Sequence, residues 1–199
     1  MMMKQKGMDD LHDDALVETM LDSQVVYKGG FFDVNKDRIR LPDGGEATRE
    51  YIRHPGAVVI LPLFEDGTVL VERQFRYPLH RVFVEFPAGK IDRGEERLTS
   101  AMRELEEETG YTASDWRYVT TIHNAIGYSD EQLFVYLAQG LKAGTAHCDE
   151  EEFIQTYRMP LDELMQWVKE GKVSDVKTVI GTFWLEKIVS GQWDAEKVL

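Results

Sequence analysis

Residues 89–110 read GKIDRGEERLTSAMRELEEETG, and the fold turns on them. From about Arg97 the stretch has a helical period, with Leu98, Ala101, Met102 and Leu105 sharing one apolar arc. Glu104, Glu107 and Glu108, three and four residues apart, share a neighbouring arc, while Glu106 points elsewhere. Like charges gathered on one patch repel and bring no structural return. Hard cations such as Mg²⁺, which take oxygen ligands, would relieve that repulsion. A solvated acidic face is the competing reading, and the usual one for a run of charge.

The full spacing favours the cation. Gly89 is followed after five residues by Glu95, and after seven more by Arg103-Glu104-Leu105. One residue further come Glu107-Glu108, and one beyond them Gly110 and Tyr111. Position by position this resembles the Nudix box, the signature of hydrolases that cleave a nucleoside diphosphate linked to another group. Tyr111 is the soft match, since an aliphatic residue is more usual there. The resemblance implies a loop–helix–loop that holds divalent cations against a diphosphate. Gly110 suits the helix end, where a left-handed residue is least strained as glycine. Arg103 lies one turn before Glu107 and is placed to orient it by a charge-assisted hydrogen bond.

Composition bounds the remaining possibilities. The 199 residues are ample for one domain and short for two independent ones. The longest apolar run, residues 57–64, is far below the roughly 20 residues of a membrane span. The opening MMMKQKGMDDLHDD lacks the apolar core of a secretory signal. One cysteine, Cys148, permits no intrachain disulfide and fits a reducing cytoplasm, the expected location. A net charge of −13 argues against nucleic acid as the main partner. It is compatible with a small anionic substrate screened by metal ions and a few local arginines. No membrane partner is expected.

Strand signals fill the first half. Residues 24–28, 31–34 and 37–41 read as short strands, broken by Gly29-Gly30 and by Asn35-Lys36. Pro42-Asp43-Gly44-Gly45 is a turn. Strands are expected at 47–54, 56–64, 68–75 and 83–86, with an Asp66-Gly67 hairpin, and after the box at 116–122, 132–138 and 153–158. Two helices close the chain. One, at 162–170, carries Leu164, Trp167 and Val168 on one side. The other, at 175–190, starts after Ser174 as N-cap and is expected to bury Val179, Ile180, Phe183, Trp184 and Ile188. The order suggests an α/β/α sandwich with a mixed β-sheet, which is also the Nudix fold. Residues 1–22 are polar and acidic, expected as a loosely ordered segment or a short helix. Residues 23–54 form an N-terminal antiparallel β segment, and 55–199 the hydrolase domain.

The resemblance narrows at YKGGFFDVNKDRIRLPDG, Arg49-Glu50, HPGAVVILPL, QFRYP and EFPAGKID, which look like the ADP-ribose pyrophosphatase branch. That branch implies a homodimer built through the N-terminal strands. It implies Mg²⁺, with Mn²⁺ as the alternative ion, held by Glu104, Glu108 and the main-chain carbonyl of Ala88. Glu107 would bridge ions or stand just outside them, and Glu95 would fix the loop. The branch takes its general base from an acidic loop, here His147-Cys148-Asp149-Glu150-Glu151-Glu152. Its spacing points to Glu150 as base with Glu152 as partner; Glu151 serves with a one-residue shift, and an acidic solvated turn is the plain alternative. Arg49 and Arg76 correspond to arginines on adenosine or diphosphate, or read as strand residues in surface ion pairs. Phe32, or its neighbour Phe31, would stack on adenine or pack in an interface, and Glu85 would meet a ribose hydroxyl. One departure stands out: Ile126 occupies the place of a branch proline, in the loop that approaches the terminal ribose. The implied activity is hydrolysis of ADP-ribose to AMP and ribose 5-phosphate. The alternatives are another nucleoside diphosphate sugar, such as ADP-glucose or GDP-mannose, or a non-catalytic module that senses ADP-ribose.

Overall fold

A computed structural model describes residues 13–147 and 152–199. They divide into two units, one running up to His54 and including Ala125–Asp130, the other Pro55–Asn124 with Glu131–Leu199.

In the first unit a single 3₁₀ turn, Asp13–Ala15, precedes three strands, β1 (Thr19–Lys28), β2 (Asp33–Arg40) and β3 (Glu46–Arg53). They pair antiparallel in chain order. β1 begins four residues earlier than the expected segment boundary, because Thr19 and Met20 pair with Arg40 and Ile39 and Asp22 meets Arg38 at 2.9 Å. Asn35 and Lys36 do not interrupt β2. Their side chains reach across to Ser23 at 3.1 Å and Glu50 at 2.9 Å, so the polar pair serves the sheet. The 125–130 loop is laced to β3: Ile52 N–H donates to the Tyr128 carbonyl at 2.8 Å, and Arg53 pairs with Asp130 at 3.0 Å. Met20, Val25, Val26, Tyr27 and Phe31 are exposed on this unit.

The second unit contains β4 (Ala57–Pro62), β5 (Thr68–Arg76), β6 (Arg81–Glu85), β7 (Ala88–Lys90), α1 (Arg97–Thr109), β8 (Tyr111–Thr112), β9 (Asp115–His123) and β10 (Gln132–Gln139). Then follow β11 (Lys142–Ala143), β12 (Ile154–Pro160), α2 (Leu161–Lys169), α3 (Val176–Val189) and β13 (Glu196–Lys197). The central sheet runs β13-β9-β10-β4-β7, with β4 and β10 parallel and the other neighbours antiparallel. A second antiparallel sheet runs β12-β5-β6, and β8 pairs with β11.

Period-two alternation builds a core on each face of the central sheet. Val58, Ile60, Phe134, Tyr136 and Ala138 pack with Ala101 and Leu105 of α1. Val59, Leu61, Leu133, Val135 and Leu137 pack on the other side with Val69 and Val71 of β5, Leu164 of α2 and Leu185 of α3. The result is the α/β/α sandwich with a mixed sheet.

Two helix faces differ from the expected periodicity. Met102 is exposed on α1, whose buried residues are Ser100, Ala101, Leu105, Glu108 and Thr109. On α3 Phe183 is exposed, and the buried stripe is Lys177, Thr178, Gly181, Thr182 and Leu185. Gly181 explains the rotation. A Cβ there would stand 2.6 Å from Leu61 and 3.1 Å from Phe86, so the helix backbone presses directly on the core. The N-cap is Asp175 rather than Ser174, its carboxylate accepting from the Thr178 N–H at 3.0 Å.

Candidate active site

The box folds as a short strand, a loop and a helix. Arg103, on the first half of α1, is its hub. Its guanidinium donates to both oxygens of Glu95 at 3.0 Å, and to Glu104 and Glu107 at 2.9 Å each. A further bond of 3.3 Å reaches the Lys90 carbonyl. Held by Arg103, Ser100 and the Asp92 N–H, the Glu95 carboxyl drops to about 2. Glu95 therefore fastens the loop to the helix, and Arg103 sets the azimuth of Glu104 and Glu107. Gly89 leaves the space that the Glu104 carboxylate fills, and a Cβ there would push that side chain aside. Gly110 ends α1 at φ 73° and donates its N–H to the Glu106 carbonyl at 2.8 Å.

Glu108 lies beneath this surface. It is 5% exposed, and its carboxylate accepts from the Ala88 N–H at 3.1 Å. Burial pushes its carboxyl well above the usual range, and Glu72, Glu104 and Glu152 push it further. Burial also raises Glu104 against the pull of Arg103. Among the described residues no three carboxylate, imidazole or thiol side chains already converge as a closed chelate. The donors nevertheless suit a hard divalent cation: all are oxygens, Glu108 is buried and Glu104 half-buried, and a glycine leaves the room that Glu104 occupies.

The segment leading to the acidic loop is tied to the end of the helix. Gly144 N–H donates to the Gly110 carbonyl at 2.7 Å, and His147 N–H to the Glu107 carbonyl at 2.8 Å. Glu150 and Glu151 lie outside the described residues. Glu152 lies within them, exposed, and its charge acts on Glu72, Glu104 and Glu108.

A second polar cluster joins β5, β6 and α3. Glu85, 2% exposed, accepts two 2.7 Å bonds from the fork of Arg76 and a bond from Lys177. Burial alone would raise its carboxyl, but Arg76 and Lys177 hold it below the ordinary value. Lys177 also meets Asp175 at 3.1 Å, and Thr178 Oγ1 accepts from the Phe86 N–H at 2.9 Å. Glu85 thus holds the partly exposed Arg76 in place. In the N-terminal unit Arg49 donates both Nε and Nη2 to Glu18, and Phe32 packs edge-on against Phe31 with centroids 4.9 Å apart.

Two residues absent from the expected set belong to these clusters. Glu72 is fully buried, and both its oxygens lack a hydrogen-bond partner among the described residues. Burial, reinforced by Glu85, pushes its carboxyl up to about 8. Lys177 is the other. A glutamate two positions after Leu70 on one face of a strand was the available sign for the first; Asp175 two residues ahead was a weaker one for the second.

A helix that carries metal-suited carboxylates beside a loop fixed by Arg103 is the arrangement of a diphosphate-cleaving enzyme. The NUDIX domain model matches residues 53–179, and that of the nucleoside diphosphate sugar hydrolase N-terminal domain matches 18–52. The chain belongs to the Nudix family. It is 36% identical to an ADP-ribose pyrophosphatase of Bacillus subtilis (strain 168), covering 86% of this chain and 94% of that one. It is also 36% identical to a methanol dehydrogenase activator of Bacillus methanolicus, over 85% of this chain and 92% of that one. A solved ADP compounds hydrolase shares the fold with a TM-score of 0.78 at 24% identity, covering 88% and 95% of the two chains.

Proposed function

We propose that this chain hydrolyses the diphosphate of ADP-ribose to AMP and ribose 5-phosphate. The observation that carries the reading is the box itself, with Glu104 lodged over Gly89, Glu108 buried at the Ala88 N–H, and Arg103 holding Glu95, Glu104 and Glu107. The ADP-ribose pyrophosphatase relative supports the substrate.

Nudix hydrolases generally depend on divalent metal, and here Mg²⁺ or Mn²⁺ would be held by Glu104, Glu108 and the Ala88 carbonyl. Bound ions neutralise the diphosphate and lower the pKa of the attacking water. Arg103 keeps Glu104 and Glu107 turned toward that position, and Glu95 keeps the loop closed on the helix. Glu150 serves as general base with Glu152 as its partner, on a loop whose start is tied to Glu107. Arg76, steadied by Glu85, receives a phosphate or the adenosine; the branch resemblance makes Arg49 and Phe32 substrate-binding residues as well. The exposed apolar residues of β1 support a homodimer, and a cytoplasmic location agrees with the single Cys148.

A neighbouring substrate is favoured by one observation. Ile126 is 81% exposed in a loop whose Ala125 adopts φ 50°, so the terminal sugar meets a different surface from the branch's proline. On this second reading ADP-glucose or GDP-mannose would be turned over faster than ADP-ribose. A turnover panel of these three substrates with Mg²⁺ tests both readings. AMP release from ADP-ribose, lost at least a hundredfold in Glu108→Gln, is expected. Tight ADP-ribose binding without AMP release under Mg²⁺ or Mn²⁺ would make the protein a sensor instead. A monomer at micromolar concentration in sedimentation would refute the dimer.

A further inference from the structure

We infer that Glu72 is a cation-site residue of this chain, adding its carboxylate behind Glu108 to the charge presented to a divalent ion. The inference rests on the metal-dependent reading above and extends it to a strand outside the box.

The placement follows from strand register. On β5, Val69 and Val71 enter the core, so Glu72 projects from the opposite face with Leu70 and Arg76. Its cross-strand neighbour on β6 is Glu85. Two carboxylates directly opposite one another destabilise a sheet unless cations intervene. Cations are present, yet they serve the other member of the pair: Arg76 forks onto Glu85, and Lys177 bonds Glu85 and Asp175. Glu72 is left fully buried with neither oxygen bonded among the described residues.

Such an arrangement has no structural return. An unsatisfied buried polar group is rare and costly. A leucine or methionine of similar volume would pack there without the penalty, and such replacements of buried charge are often neutral or stabilising. What the carboxylate does reach is the box. Its cross-strand partner Glu85 ends β6 three residues before Ala88, whose N–H donates to the Glu108 carboxylate at 3.1 Å. β5 and α1 thus each bring a buried carboxylate to the link between β6 and β7, while Arg103 bonds Glu95, Glu104 and Glu107. A divalent cation supplies what that region lacks. Glu72 acts through Glu108 and is a positioning residue.

The test is Mn²⁺ binding to the full chain without substrate, followed by electron paramagnetic resonance of the free ion. Wild type is compared with Glu72→Gln, Glu72→Met and Glu108→Gln, alongside melting temperatures with and without Mg²⁺. Both Glu72 variants are expected to bind Mn²⁺ about tenfold or more weakly, as for other outer groups of metal sites. Without cation they should melt higher than wild type, and they should gain less on adding Mg²⁺. Two Glu72 variants are used so that a folding failure in one leaves the other to decide. Affinity within twofold of wild type in a folded Glu72 variant, with binding lost in Glu108→Gln, overturns the inference and spares the metal reading. Lower melting without cation at unchanged affinity also overturns it, assigning Glu72 a structural part. Wild-type Mn²⁺ binding by Glu108→Gln sinks the metal reading and this inference together.

Discussion

Lys177→Met isolates the electrostatics of the cluster between β5, β6 and α3. In the native protein Glu85 is 2% exposed and Lys177 11%, and Lys177 pairs with both Glu85 and Asp175. Methionine keeps the unbranched length and the helix propensity, so the change is one of charge. It leaves Glu72 and Glu85 facing Arg76 alone within the cluster. Breaking a buried pair costs about 3–5 kcal/mol. Glu85 retains two 2.7 Å bonds from Arg76, so the lower end applies, about 3 kcal/mol. At 2–4 °C per kcal/mol for a chain of this size, the melting temperature should fall by roughly 6–12 °C. The loss must also depend on pH. Because the folded Glu85 carboxyl lies below its ordinary 4.5, its contribution is present above that value and is lost as pH falls through the folded one. Without Lys177 its pKa rises, so the variant protonates Glu85 first and sheds repulsion as pH falls. Urea unfolding at fixed protein concentration should therefore give a smaller difference near pH 4.5 than near pH 7.5. A loss under about 1 kcal/mol at the higher pH, or one no smaller at the lower, would refute the reasoning.

Three further changes probe separate contacts. Gly89→Ala forces the Glu104 carboxylate aside, and Mg²⁺-dependent turnover should fall at least a hundredfold while the melting temperature moves little; retained turnover would remove the contact from the mechanism. Arg103→Lys cannot reproduce the fork to Glu95, Glu104 and Glu107, and kcat should drop roughly 10–100-fold. The same variant should unfold at a higher pH in acid titration, because the stability that Glu95 contributes above 4.5, lost in wild type only as pH falls toward about 2, disappears with its partner. Gly181→Ala brings a Cβ within 2.6 Å of Leu61 and should destabilise by about 2 kcal/mol without changing KM, read by denaturation and steady-state kinetics.

What the sequence displayed plainly was whatever depends on spacing along one element. The positions from Gly89 to Tyr111 fix a local loop and helix, so Arg103 could be set to orient Glu107, and Glu95 to fix the loop, before any fold was known. The order of strands and helices likewise suggested the sandwich, whose central sheet is covered on both faces. Properties that arise between elements were hidden. Phe183 looked like core by residue type, yet it is exposed, and the approach of Gly181 to Leu61 and Phe86 turns Lys177 inward instead. Glu85 suggested a sugar contact from its place before Pro87, yet its carboxylate is engaged by Arg76 and Lys177, which come from two other places in the chain. Glu72 gave no warning beyond a charge in an apolar strand, since its isolation depends on where those two cations go.

The distribution of compensating charge explains why the site is poised for a cation. Arg103 neutralises the exposed side of α1, binding Glu104, Glu107 and the loop glutamate Glu95. Arg76 and Lys177 neutralise the far side, converging on Glu85. Glu72 and Glu108 stand between these clusters, both buried and both driven toward the protonated form. Burial that raises a carboxyl pKa weakens the apo fold as pH rises, because the folded state must release protons it favours keeping. A divalent ion bound there, as proposed, would reverse that balance by displacing the protons and stabilising the folded state. Two arginines and a lysine therefore satisfy Glu95, Glu104, Glu107 and Glu85, whereas the buried Glu72 on β5 takes no hydrogen bond from any of them among the described residues.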